Sequence, residues 1–218
     1  MARSNVAGDL MNIPQQQLLD SMEGIAYLTD ADSVIMAVGR PRWNAFARDN
    51  GGEALIDGRG VIGYSIFDAV AGDRVRAGYE KLFLSILQRR CRSARLLSRC
   101  DSPGVRRHLV ITMTPVFVRG AIRRMLFRST AVEELVRPPM DVFDFRAMTE
   151  RARIDPALPV LGMCSTCQSV RFPAGSSDAT GSWITAEDYY RRGGDNRVRI
   201  SHGLCSRCEV ETIASLAA

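Results

Sequence analysis

The chain has 218 residues, 46% of them hydrophobic, and 29 basic against 24 acidic side chains give it a formal charge of +5. That length suits one large domain or two modest ones, and two are expected here. No apolar run approaches the ~18 residues that a membrane span needs. The opening Met-Ala-Arg-Ser-Asn leads into no apolar core of the signal-peptide kind. Together these features point to the cytoplasm, where thiols stay reduced and paired cysteines more often hold metal than form disulfides. The positive charge raises nucleic acid as a partner. The basic residues, all arginine except Lys81, are nevertheless spread along the chain, and the densest group, Arg89, Arg90, Arg92, Arg95 and Arg99, has no interleaved aromatics on which bases would stack. Nucleic acid is therefore the less favoured partner.

In chain order, residues 1–17 form an N-terminal segment. Pro14 opens a short helix that carries Leu18, Leu19 and Met22 on one side. Residues 24–30 and 34–38 read as two strands joined by the turn formers Asp30-Ala-Asp-Ser33. Trp43, Phe46 and Ala47 then recur at helical spacing before Gly51-Gly52 ends the element. Residues 61–70 are short and mixed, with a helical turn expected. A stronger helix should follow, with Asp73 as N-cap, because Val75, Tyr79, Leu82, Phe83, Ile86 and Leu87 form one apolar stripe as far as about Arg90. The pattern then changes to three strands, residues 95–100, 107–118 and 121–130, broken at Asp101-Ser-Pro-Gly104 and Arg119-Gly120.

Two strands, a helical middle and three strands make an α+β unit: a five-stranded antiparallel sheet with helices on one face. With Trp43-Asn44 after the first hairpin and Thr114-Pro115-Val116 in the fourth strand, residues 18–132 resemble a PAS domain. The resemblance implies a sensor module that binds a small molecule between sheet and helices and commonly dimerises through flanking helices. The pocket would then be lined by Phe83, Leu87, Ile111 and Met113. Where many PAS domains end their last strand in Asp-Ile-Thr, this chain reads Arg128-Ser129-Thr130. Residues 74–90 contain no His for a haem, and the flavin-photoreceptor motif Asn-Cys-Arg-Phe is missing. His108 reads as a surface residue. Cys91 and Cys100 read as small buried hydrophobes, with a redox pair as the minor reading.

Residues 133–159 are expected to be a linker. Pro138-Pro139, Pro156 and Pro159 surround a helix over 141–153, on which Val142, Phe143, Phe145 and Met148 give an incomplete apolar stripe. It is suited to bridging two domains or pairing with a second subunit. A homodimer follows as an expectation, with Leu18, Leu19, Met22, Phe143 and Phe145 in its interface.

Residues 160–212 carry the chemistry. Cys164-Ser-Thr-Cys167 is answered, after 37 intervening residues, by Cys205-Ser-Arg-Cys208. Two Cys-x-x-Cys knuckles supply four sulfurs, which close a tetrahedral Zn²⁺ shell at about 2.3 Å and leave no position for substrate. A closed shell is structural. His202 is then either a substitute ligand or a group that orients a thiolate. A redox Cys-x-x-Cys would sit at a helix start in a βαβ setting, and neither knuckle is expected in that context. Between the knuckles, Trp183 reads as a core anchor, and Thr185-Ala-Glu-Asp188 starts a helix that Gly193-Gly194 stops. Met163-Cys-Ser-Thr-Cys167, Trp183, Glu187, Tyr189 or Tyr190, and Ser201-His-Gly-Leu-Cys-Ser-Arg-Cys208 resemble a cysteine-rich module found at the C-terminus of bacterial PAS-containing signalling proteins, here with Ser206 where proline is usual. The fold expected is thus a PAS-like sheet followed by a small zinc-ribbon-like module. The function expected is a non-enzymatic bacterial signalling protein that acts with an unidentified signalling partner. A DNA-binding regulator and a thiol-based redox switch are the alternatives.

Overall fold

The computed structural model describes residues 14–70, 72–177 and 180–217, with backbone alone at 74, 145 and 212–217. Its first unit is built from α1 (Gln15–Asp20), β1 (Ile25–Asp30), β2 (Ile35–Val38), α2 (Arg40–Asp49), α3 (Asp73–Leu87), β3 (Ala94–Arg99), β4 (Val105–Val118) and β5 (Ala121–Val136). The five strands are all antiparallel, in the order β2-β1-β5-β4-β3. This is the PAS-like sheet that the element pattern implies.

Period-two alternation decides which side chains meet which helix. Tyr27, Met113, Met125 and Phe127 face α3, where Leu82, Phe83 and Ile86 close the main core. Ala26, Leu28 and Leu126 face the other way and are met by Leu19 of α1. The helices are therefore not all on one face, because α1 folds back on its own sheet. Gly39 permits this approach: a Cβ there would stand 2.6 Å from the Leu19 carbonyl oxygen. Gly72, not Asp73, is the N-cap of α3, with φ +88°, and Asp73 lies in the first turn. A carboxylate there meets the positive end of the helix. Pro115 is tolerated in β4 because β3 pairs only with residues 108–113, so its missing N–H faces no partner strand.

β5 does not end at Thr130. It runs on to Val136, opposite residues 105–108 of β4, and passes through Arg128-Ser129-Thr130 without a break. His108–Glu133 and Arg107–Glu134 pair across the strands in this extension. Such charge ladders hide a strand from any hydrophobic pattern.

The second unit contains α4 (Phe145–Ile154), β6 (Val160–Cys164), β7 (Val170–Phe172), β8 (Ser182–Ile184), α5 (Ala186–Arg191), β9 (Arg199–Gly203) and α6 (Ser206–Ala217). Its sheet has the order β8-β7-β6-β9, with β6 and β9 parallel. The stretch 133–159 is shared between the two units: its first residues extend β5, while Val142, Phe143 and Met148 are buried with Leu161, Met163, Val170 and Tyr189. Tyr190 Oη accepts from the Val142 N–H at 3.0 Å and fastens that stretch to α5. Phe143, expected in a subunit interface, is thus covered within the chain, as is Leu19, whereas Leu18 is 51% exposed. The side chain of Phe145 lies outside the described residues.

Candidate metal centre

Each knuckle follows a strand end. Cys164 closes β6, the Cys164 carbonyl accepts from Gln168 N–H at 2.9 Å, and the intervening turn brings Cys167 round to the same side. Cys205 immediately precedes α6, so the second knuckle does stand at a helix start, after β9. The expectation that neither knuckle stands at a helix start is corrected for the second by the helix Ser206–Ala217. The parallel pairing of Cys164 with Gly203 places the two knuckles side by side.

The four sulfurs of Cys164, Cys167, Cys205 and Cys208 all lie within 4.8 Å of one another. Cys167 Sγ and Cys205 Sγ are 3.7 Å apart, against the edge of about 3.8 Å that a tetrahedron with 2.3 Å metal–sulfur bonds requires. Backbone N–H groups support the sulfurs: that of Cys205 donates to Cys164 Sγ and that of Cys208 to Cys205 Sγ, both at 3.4 Å. The exposed Arg207 guanidinium reaches Cys167 and Cys208. Such donors and a helix N-terminus favour thiolate charge.

The four thiols set one another's protonation. A hydrogen bond from the Cys164 thiol, chiefly, pulls Cys167 down to about 4. That bond, with burial, drives Cys164 well above the usual thiol range. Burial and the neighbouring Cys167 charge push Cys208 up to about 12. The four thiols could hold a metal ion, and their donor type and spacing suit Zn²⁺. His202 is not part of this four-sulfur group among the described residues. It lies on β9 opposite Met163, and burial lowers its pKa.

Trp183 packs against the cysteine cluster and under the Arg171 guanidinium, whose carbon is 4.7 Å from the ring centroid. Thr185 caps α5 as its sequence predicts, its Oγ1 accepting from Asp188 N–H at 3.0 Å. A cleft of about 910 Å³ between the β3–β4 edge and the module opens onto Cys167, Cys205 and Cys208, with Leu97, Arg106 and Trp183 on its walls.

Of the residues expected around a ligand in the sheet domain, Phe83 and Met113 are fully buried and Leu87 packs against them. Ile111 is half-buried beside its strand partner Leu96. Their interior is occupied by an aromatic stack: Tyr27 on Phe127 at 4.9 Å and Phe127 on Phe83 at 6.2 Å between centroids. Burial raises the phenols of Tyr27 and Tyr79 above their usual range. Cys91 packs against this core, and burial raises the Cys100 thiol. His108 is engaged by Glu133.

No family model matches the chain, and no curated protein matches it. Among solved structures it is similar to the PAS domain of Bordetella pertussis BvgS, at 12% identity over 69% of this chain and 100% of that one, with a TM-score of 0.42. A domain of an HTR-like protein from Haloarcula marismortui is similar at 16% identity over 50% of this chain and 97% of that one, with a TM-score of 0.33. VqmA bound to DPO is similar at 15% identity over 63% and 60%, with a TM-score of 0.35. The fold stands on the strand order, not on these similarities. Among the described residues, no helix is long and apolar enough to cross a membrane.

Proposed function

We propose that this chain is a cytoplasmic bacterial signalling protein in which a PAS-type sensor sheet is joined to a module stabilised by one structural zinc ion, and that it works through ligand-dependent or partner-dependent protein interaction as a homodimer. The observation that carries the reading is the four-sulfur cluster of Cys164, Cys167, Cys205 and Cys208, docked on the edge of a five-stranded sensor-type sheet. Four thiolates leave a zinc ion no open coordination position, which suits a structural role and no chemical step. The sensor ligand would sit between sheet and α3, near Phe83, Leu87, Ile111 and Met113, and would have to displace part of the Tyr27–Phe127–Phe83 stack. Metal analysis and an absorption spectrum of the purified protein test the proposal together. One zinc per chain with no Soret band and no flavin band is the expected result. Protein without metal, or with one equivalent of haem that His108→Ala removes, would overturn it.

A second reading is favoured by the cleft, which gives small oxidants a path to Cys167. In that reading peroxide oxidises two thiolates to a disulfide, is itself reduced to water, and the zinc leaves. Zinc release that a thiol reductant reverses would favour the switch over a purely structural ion.

A further inference from the structure

A carboxylate taken out of water must be matched by cations and hydrogen bonds, or it destabilises the fold. Asp101, in the turn after β3, has a side chain with no exposed surface at all. It is met by two guanidiniums, Arg99 at the end of β3 and Arg137 just after β5, the latter at 2.9 Å. Its Oδ1 also accepts from the Arg107 N–H at 3.2 Å. Two cations on one anion leave a positive charge over, and Glu187 of α5 answers it, 3.1 Å from Arg137. The chain Arg99–Asp101–Arg137–Glu187 is therefore balanced only across the boundary between sensor sheet and module.

The same turn also holds the first metal knuckle by its backbone. Arg99 N–H donates to the Thr166 carbonyl at 2.8 Å, and its Nη1 donates to the Cys167 carbonyl at 3.0 Å. Asp101 N–H donates to Gln168 Oε1 at 2.9 Å. Gln168 is buried and sits at φ +55°, in the left-handed region that a non-glycine residue avoids unless its surroundings fix it. Three successive residues, including one ligand, are thus gripped by groups from β3 and the turn beyond it.

We propose that Arg99 and Asp101 are positioning residues of the metal centre: the sensor sheet holds the Cys164–Cys167 knuckle in ligand-binding shape, so metal occupancy and the order of the β3–β4 edge are coupled. This inference rests on the zinc reading above. It replaces the route through a strand-ending Asp-Ile-Thr on the central strand, which this chain lacks, with one through the β3 edge of the sheet. Because coupling is reciprocal, whatever loosens the β3–β4 edge also weakens the metal, by a factor in the range of about 5 to 150 for typical couplings.

The test uses the full chain. Hydrogen exchange is followed at residues 94–110 before and after zinc is removed by a chelator, with β1 as internal reference. Chelation should release the amides of Arg99, Asp101 and Arg107 while those of Tyr27 and Leu28 stay protected. Zinc affinity, read by competition with a chromophoric chelator, should fall about 10- to 100-fold in Asp101→Asn, the range for loss of a group that orients metal ligands. Gln168→Ala, which removes only the acceptor for the Asp101 amide, should fall in the same direction by less. The surface variant Asp188→Asn should leave affinity unchanged. Protein that binds one zinc but whose β3–β4 amides ignore chelation overturns the coupling and leaves the metal reading standing. Unchanged zinc affinity in a folded Asp101→Asn protein does the same. Protein that binds no zinc overturns both.

Discussion

Around Phe127 the five-stranded sheet buries Tyr27, Phe83, Ile86, Met113 and Met125, a continuous apolar interior closed by one long helix. Around Cys164 the module buries Cys205 and Cys208 beside the partly buried Cys167 and Trp183, and its other core, led by Phe143, Leu161 and Met163, begins one residue away on β6. The first interior is held by the water it excludes. The second gathers four sulfurs within 4.8 Å of one another, which in the proposed reading a zinc ion holds together. On the proposed zinc reading, one chain thus contains a part whose stability is intrinsic and a part whose stability depends on a ligand.

Removing the metal should produce the largest effect. Structural Zn²⁺ contributes about 10–16 kcal/mol of binding free energy in small zinc domains, all of it available to folding. Cys205→Ser, or chelation of the wild type, should abolish near-ultraviolet signal from Trp183 and the protection of β6 and β9. The β1–β5 sheet should keep its far-ultraviolet signature. A variant that unfolds throughout would mean that the two regions form one cooperative unit, and the contrast would be lost.

The converse change attacks the intrinsic part. Phe127 is 2% exposed and stacked between Tyr27 and Phe83. Phe127→Ala should cost about 3–5 kcal/mol, as large aromatic truncations in cores do. Denaturant midpoints should drop while the zinc stoichiometry stays at one. Loss of zinc in step with the sheet would join the two regions more tightly than the coupling at Asp101 requires.

Much of the sheet domain was legible because its elements advertise themselves: the Leu82–Phe83–Ile86 stripe, the turn at Asp30-Ala-Asp-Ser33 and the break at Arg119-Gly120 each lie where the structure has them. The end of β5 was not, because Glu133 and Glu134 pair with His108 and Arg107 and look like a solvated linker. The four cysteines announced themselves by spacing and do converge. Arg99, Asp101 and Arg137 did not. A single sequence does not say which of its many arginines meets the buried Asp101, and that choice is made by tertiary packing.

Acid should weaken the module before the sheet. Burial lowers the pKa of His202, so the unfolded chain takes a proton first and stability drains away as pH falls below about 6.5. Burial raises Glu187, but its own backbone N–H and the Arg137 and Arg99 guanidiniums outweigh that and hold it below the carboxylate range. Its contribution is therefore present above about pH 4.3 and lost as pH falls through the lower folded value. Ligand protonation drives zinc off in the same direction. A pH titration watched separately at Trp183 and at the sheet amides should show the module responding first. Simultaneous loss would erase the distinction.

The smallest effect on stability is expected at Leu18, and it bears on assembly. Leu18, Leu19 and Met22 share one short helix, yet they divide: Leu19 is 3% exposed against Ala26 and Leu28, Met22 is partly buried beside it, and Leu18 is 51% exposed. A charge at Leu19 would be buried without a partner and should unfold the helix dock, so its effect on association could not be separated from its effect on folding. Leu18→Glu avoids that difficulty, because a surface substitution of this kind shifts stability by only about 0.5 kcal/mol or less. If the proposed homodimer uses the exposed flank of α1, light scattering should find a dimer for the wild type at micromolar concentration and a monomer for Leu18→Glu, with the same melting temperature at high dilution. A monomeric wild type would remove the homodimer from the proposal. A dimer that survives Leu18→Glu would move the interface away from α1.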